Sequence, residues 1–169
     1  MRHKVLFVCT GNICRSPTAE GVARGLAEQQ GVGHLFEFDS AGTHGYHVGD
    51  PPDSRTVAAA LRRGYDLAPL RARRVTDFDF IHFDYVLAMD HEHLELLRRA
   101  CPRPHQKKLR LFMEFSERFD ADEVPDPYYG GMQGFEHVLN LVEDAATQLI
   151  RKLSSNHMDT VPGLPPGTK

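Results

Sequence analysis

Residues 4–8, KVLFV, form a short apolar run without polar alternation, leading through Cys9 and a polar loop into Arg15, Ser16 and Pro17. A strand that is apolar on both faces has to be covered on both faces. That is the habit of a parallel sheet between helices, not of an antiparallel sheet with one wet side. Ser16 can cap a helix, and Pro17 suits its first turn, where a missing N–H leaves nothing unpaired. The run therefore predicts a buried strand over 4–8, a loop over 9–15 and a helix over 16–30.

The rest of the chain keeps the alternation. Strands are predicted at 36–40, 84–89 and 108–112, and helices at 53–65, from a cap at Asp90 to Ala100, and over 133–153. Residues 42–52 and 122–132 read as loops, and 66–76 as an irregular basic stretch. Four strands alternating with helices imply an α/β fold: a four-stranded parallel sheet with helices on both faces. In such sheets ligands bind beyond the carboxyl ends of the strands, and Cys9 stands at one of those ends.

At 169 residues the chain is the size of one domain. Residues 1–153 are expected to form it, with 154–169, polar and rich in Pro and Gly, as a disordered tail. A net charge of −3 argues against nucleic-acid binding driven by bulk positive charge. No apolar run reaches the length of a membrane span, and the N-terminal run is too short for a signal peptide. The 3 cysteines form no disulfide framework, which points to a reducing cytoplasm.

The loop after the first strand has its own chemistry. Unpaired backbone N–H groups and the positive end of a helix dipole make an anion site of phosphate size. Gly11 lets the backbone turn, and Asn12 tolerates a left-handed conformation. Arg15 can grip two phosphate oxygens at once. The positive field favours Cys9 as a thiolate, and a thiolate beneath a bound phosphoryl group is placed for in-line attack. Ser16 can donate to that sulfur and improve it as a leaving group. The loop lacks the G-x-x-x-x-G-K-[ST] pattern of a nucleotide P-loop. Expelling a phenolate needs a proton donor, and Asp126, between Pro125 and Pro127 and ahead of Tyr128 and Tyr129, is the candidate acid.

The two stretches together, VCTGNICRSPTAEG and DPYYGG, resemble the low-molecular-weight protein tyrosine phosphatases, with the likeness spanning residues 4 to about 153. The resemblance implies hydrolysis of phosphotyrosine in protein substrates, without metal or cofactor, through a phosphocysteine on Cys9. Arg15 would clamp the phosphate, and Asp126 would serve as general acid and then base. Thr10, Gly11, Asn12, Ser16 and Ser40 would shape the loop, and Cys14 would match a second loop cysteine that protects the nucleophile as a reversible disulfide. Ile13, Tyr46, Tyr128 and Tyr129 would line the crevice. Where relatives often carry a loop-supporting His the chain has Leu70, and where many carry Asn it has His93.

His44 and His47 read as a solvated loop, DHEH (90–93) as a capped, exposed first helical turn, and RARR (71–74) as solvated surface. Cys101 reads as a packed thiol. Other functions for the same loop are an arsenate reductase, which needs further cysteines as a relay, a phosphoarginine phosphatase, and a non-catalytic phosphopeptide binder.

Overall fold

The computed structural model describes residues 1–128 and 130–159, the side chains of 156–159 apart. Four strands, β1 (His3–Cys9), β2 (Phe36–Gly42), β3 (Tyr85–Ala88) and β4 (Leu109–Leu111), form one sheet in the order β2-β1-β3-β4. Every pairing is parallel. The helices are α1 (Arg15–Gln29), α2 (Ser54–Leu61), α3 (Asp77–His82), α4 (His91–Ala100) and α5 (Met132–Asp159).

The apolar run explains the layers. Successive side chains of a strand point to opposite faces, and both faces of β1 are dry. Val5, Phe7 and Cys9 enter a core with Val22 of α1 and Val142 and Leu149 of α5. Leu6 and Val8 enter a second core with Phe80 of α3 and Leu94 and Leu97 of α4. Phe7 meets Phe112 edge-on at 5.1 Å. Burying a ring of that size stabilises the fold by roughly 1.5–3 kcal/mol.

From β1 the chain winds to β2 on one side, then crosses back over β1 to reach β3 on the other. This reversal opens a crevice at the carboxyl ends of β1 and β3. Cys9 ends β1 at its floor, and Met89 and Asp90 leave β3 beside it, the Met89 N–H donating to Val8 O at 3.0 Å.

Several boundaries differ from expectation. Helix α1 starts at Arg15, and Ser16 does not cap it; Cys14 holds the cap position without a side-chain bond. Helix α2 stops at Leu61, short of 65, and Gly64, at φ +90°, turns the chain where a side chain would be strained. Asp53 caps α2, and Asp90 caps α4 as expected. Helix α3 follows the irregular stretch and is set by a capping box between Thr76 and Asp79. Helix α5 runs beyond Leu153 to Asp159, since no Gly or Pro follows Leu153 before Pro162. Residues 160–169 of the expected tail, and Tyr129, lie outside the described residues.

Candidate active site

The loop between β1 and α1 is folded around one side chain. Asn12 stands at φ +58°, the left-handed conformation expected of it. Its amide Nδ2 donates to Ser16 Oγ at 2.8 Å and Ser40 Oγ at 3.0 Å, and its Oδ1 accepts from the Arg73 backbone N–H at 3.0 Å. Ser40 Oγ in turn donates to Glu20 Oε1 at 2.7 Å. Every member except Arg73 is buried. Burial pushes the Glu20 carboxyl up, against the Ser40 hydroxyl and the Arg24 guanidinium that favour its charge. Arg73 is fixed by Asp79 at 3.0 Å and Asp39 at 3.1 Å. Its backbone N–H therefore supports the loop Asn that Leu70 cannot reach by hydrogen bonding, and RARR is not simply solvated surface.

This frame aims the nucleophile. Cys9 Sγ lies 3.0 Å from Ser16 Oγ. Because Asn12 donates to the Ser16 oxygen, the hydroxyl proton is left for an acceptor, with the sulfur at 3.0 Å nearer than Ala41 O at 3.5 Å. Among the described residues the N–H groups of residues 11–14 find no acceptor, which leaves them available to an anion at this loop. Gly11 does not take a positive φ. Its missing side chain instead makes room for the His47 ring, whose Cδ2 would lie 2.9 Å from a Cβ there. Gly42 matters similarly, since a Cβ would stand 2.7 Å from Thr10 O and 2.9 Å from His44 O.

Arg15 leaves the first turn of α1 and is buried. Its Nη1 donates to Asp90 Oδ2 at 2.8 Å and to Val124 O at 3.2 Å, and its Nη2 lies 3.9 Å from Asp126 Oδ2. Burial raises the Asp90 carboxyl, but the His93 backbone N–H and the Arg15 guanidinium outweigh it and hold Asp90 below the usual carboxylate range. Asp126 is half-exposed, and its Oδ1 accepts from the Tyr128 N–H at 2.9 Å, leaving Oδ2 toward the crevice.

The cavity between these groups measures about 240 Å³ and is lined by Cys9, Thr10, Gly11, Ile13, Cys14, Arg15, Tyr46, His47, Asp126 and Tyr128. Tyr46 is largely exposed and stacks on His44 at 5.0 Å. Tyr128 lies beneath the Arg55 guanidinium, 5.3 Å from ring to charge. Cys14 is buried, which pushes its thiol up to about 12. Cys101 packs on the opposite side of the sheet, with Leu94 and Leu97.

Sequence reasoning missed Glu20, Arg73, His47 and the double role of Asp90. A Glu on a helix and an Arg in a basic run look like surface, and nothing local marks them otherwise. DHEH is the sharpest difference: Asp90 caps and His91 and Glu92 are exposed, but His93 is buried, with Nε2 2.7 Å from Thr10 Oγ1.

Comparison with known proteins agrees with this geometry. The profile of the low molecular weight phosphotyrosine protein phosphatases matches residues 4–159. A low-molecular-weight protein-tyrosine-phosphatase of Streptomyces coelicolor is 46% identical, covering 89% of this chain and 93% of that one. A human low molecular weight phosphotyrosine protein phosphatase is 41% identical over 79% of this chain and 85% of its own. The crystal structure of a protein tyrosine phosphatase from Entamoeba histolytica, with Hepes in the active site, superposes with a TM-score of 0.88 at 41% identity, covering 92% of this chain and 99% of that one.

Proposed function

We infer how this site works from one premise: the chain belongs to the low molecular weight phosphotyrosine protein phosphatase family and is a protein-tyrosine-phosphatase. On that footing residues 1–159 act as one phosphatase domain. Cys9 is its nucleophile, Arg15 its phosphate clamp and Asp126 its general acid and base. The observation that carries the assignment is the convergence of the β1–α1 unit and the distant loop carrying Asp126 on one crevice. Cys9 Sγ meets the Ser16 hydroxyl at 3.0 Å, and Asp126 Oδ2 comes within 3.9 Å of the Arg15 guanidinium.

The reaction follows from that placement. The loop N–H groups and Arg15 hold the phosphate of a phosphotyrosine with its ester oxygen facing outward. The Cys9 thiolate attacks phosphorus; the S–P bond forms as the P–O bond to the ring breaks. The leaving phenolate, with a phenol pKa of about 10, takes the proton of Asp126. Asp126, now a carboxylate, accepts a proton from water, whose oxygen bonds to phosphorus as the S–P bond breaks. Phosphate leaves, and the Ser16 hydroxyl donates to the restored thiolate.

Ile13, Tyr46 and Tyr128 line the cavity as walls for the ring, and Tyr129 is proposed to share that role from sequence alone. A sulfur at the floor of this cavity reaches a phosphate carried at the end of a ring, whereas phosphoserine holds its phosphate close to the backbone. The Entamoeba site that takes Hepes supports the loop as a cradle for phosphate-like anions. No described helix is long and apolar enough to cross a membrane. A nucleophilic free thiol needs a reducing compartment, which favours the cytoplasm.

Oxidation is the expected hazard of such a thiolate. A peroxide turns Cys9 into a sulfenic acid, and the Cys14 thiol can condense with it to a disulfide, releasing water. Burial keeps Cys14 protonated at neutral pH, so the bridge forms slowly unless oxidation opens the loop. An arsenate reductase relay finds no support, since Cys101 lies across the sheet from Cys9.

The test is a panel of phosphotyrosine, phosphoserine and phosphoarginine peptides, with and without thiol reductant. Phosphotyrosine should be preferred strongly. Comparable kcat/KM for phosphoserine would mean that the ring-deep slot does not govern substrate choice.

A further inference from the structure

The imidazole of His93 is a polar group almost wholly closed off from solvent at the back of the crevice, 1% exposed. Its two nitrogens have different neighbours. Nε2 lies 2.7 Å from Thr10 Oγ1 and 3.4 Å from Arg15 Nη2. An Arg nitrogen can only donate, so Nε2 must present its lone pair to it. The Thr10 hydroxyl is then left to donate as well. Nδ1 lies 3.0 Å from Asp90 Oδ1 but out of line for a hydrogen bond, and that oxygen already accepts the His93 backbone N–H at 2.9 Å. Facing a carboxylate, Nδ1 is the nitrogen that keeps the proton.

We propose that His93 is a positioning residue of the phosphate loop: a neutral imidazole, protonated on Nδ1, whose Nε2 accepts from both Thr10 and Arg15 and fixes them relative to each other. The proposal rests on Arg15 being the phosphate clamp. Arg15 has one nitrogen on Asp90 and Val124 O and the other against His93. Removing the imidazole takes one contact from the planar guanidinium, which Asp90, Val124 O and Asp126 still hold, and leaves the Thr10 hydroxyl without its acceptor. The expected damage falls on the transition state, where the guanidinium has to match the phosphoryl oxygens, more than on substrate capture.

The charges around the ring agree. Burial and Arg15 push the His93 pKa down to about 4, while Asp90 and Asp126 pull it up and His44 pushes it down less strongly. These groups come from the α4 cap, from α1, from the loop before α5 and from the loop after β2. Neutral His93 is thus the form present near pH 7. Its protonation removes the acceptor and places a cation beside Arg15.

The test compares the wild type with H93F, which keeps a ring but has no acceptor, and H93N, whose amide carbonyl can accept. Each is measured for kcat and KM on a phosphotyrosine peptide between pH 4 and 8, and the wild-type imidazole is read by 15N NMR. H93F should lose about tenfold in kcat with little change in KM, on the scale of a hydrogen bond to a charged group. H93N should recover most of that loss. The acid limb of the wild type should contain an ionisation near pH 4 that is missing from H93N. The spectrum should show a bare Nε2 at neutral pH. Wild-type kcat in H93F, or a proton on Nε2, would overturn the proposal. If H93F does not fold, H93N and the spectrum decide it. A wild type that cannot hydrolyse phosphotyrosine would instead remove the functional reading, and the nitrogen spectrum would still show whether His93 accepts from its neighbours.

Discussion

Two of the loops that line the crevice are held in opposite ways. The loop after β1 is tied through buried side chains: Asn12 to Ser16, Ser40 and Arg73, and Ser40 to Glu20. The loop that follows Phe115 and carries Asp126 is secured at separate points. At its start Asp144 of α5 accepts from Ser116 Oγ at 2.6 Å and from the Glu117 and Arg118 N–H groups at 3.0 Å. Further along, buried Val124 bonds to Met89 O and accepts from Arg15. Between them His91 pairs with Asp122 on the exposed surface. Asp126 itself is half-exposed. The contrast matches the tasks. In-line attack needs a sulfur and an anion cradle fixed within fractions of an ångström. The acid must meet a leaving oxygen and then a water, so solvent access serves it.

The comparison can be broken first at Arg15. Arg15→Lys replaces a planar fork with a point charge and should lower kcat by about 10²–10³-fold, the scale for losing a main transition-state donor. Steady-state kinetics on a phosphotyrosine peptide check this. Next, Asp126→Asn should lower kcat by about 10²-fold for tyrosine phosphate and much less for aryl phosphates with acidic phenols, which need less proton donation. Its thermal stability should match the wild type, because the carboxyl is half in water. An equal loss for all leaving groups would deny Asp126 the acid's role.

Asn12→Ala probes the other loop and should behave in the reverse manner. It removes the donor that Ser16 and Ser40 share and the acceptor of the Arg73 N–H, and forces Ala into a left-handed backbone. A stability loss of about 2–4 kcal/mol in denaturant unfolding is expected. Finding Asn12→Ala as stable as Asp126→Asn would erase the difference between the loops.

The smallest effect concerns pH. His93 is held neutral in the fold, with its pKa depressed from 6.5 to about 4. Between those values the unfolded chain takes up a proton that the native state refuses, so His93 makes stability fall as pH drops through that window. The thermal midpoint of the wild type should therefore decline more from pH 7 to pH 4.5 than that of H93N. Parallel declines would mean that His93 titrates normally in the fold.

Much of this was legible in the sequence, for physical reasons. KVLFV reads as a doubly buried strand, so the placement of Cys9 at the carboxyl end of a strand followed. Cys9, Arg15 and Ser16 lie within one local strand–loop–helix unit, and the conformation of Asn12 follows from its residue type. What stayed hidden was long-range. Glu20 meets Ser40, and Arg73 meets Asn12, only because β2 and the stretch after α2 pack beside β1. His93 follows a good helix cap and looked exposed. Its burial depends on β3 ending beside β1, which the alternation of elements does not specify. Helix α3 was too short for its periodicity to show, and its capping box was the signal available.

The central claim is that Cys9 carries the phosphoryl group during turnover. The direct measurement is rapid quenching of a phosphotyrosine reaction followed by peptide mass spectrometry, with Asp126→Asn to slow hydrolysis of the intermediate and Cys9→Ser as control. Phosphate on the Cys9 peptide, accumulating in Asp126→Asn, and no turnover by Cys9→Ser is the predicted result. Normal turnover by Cys9→Ser, or phosphate on another residue, would contradict it.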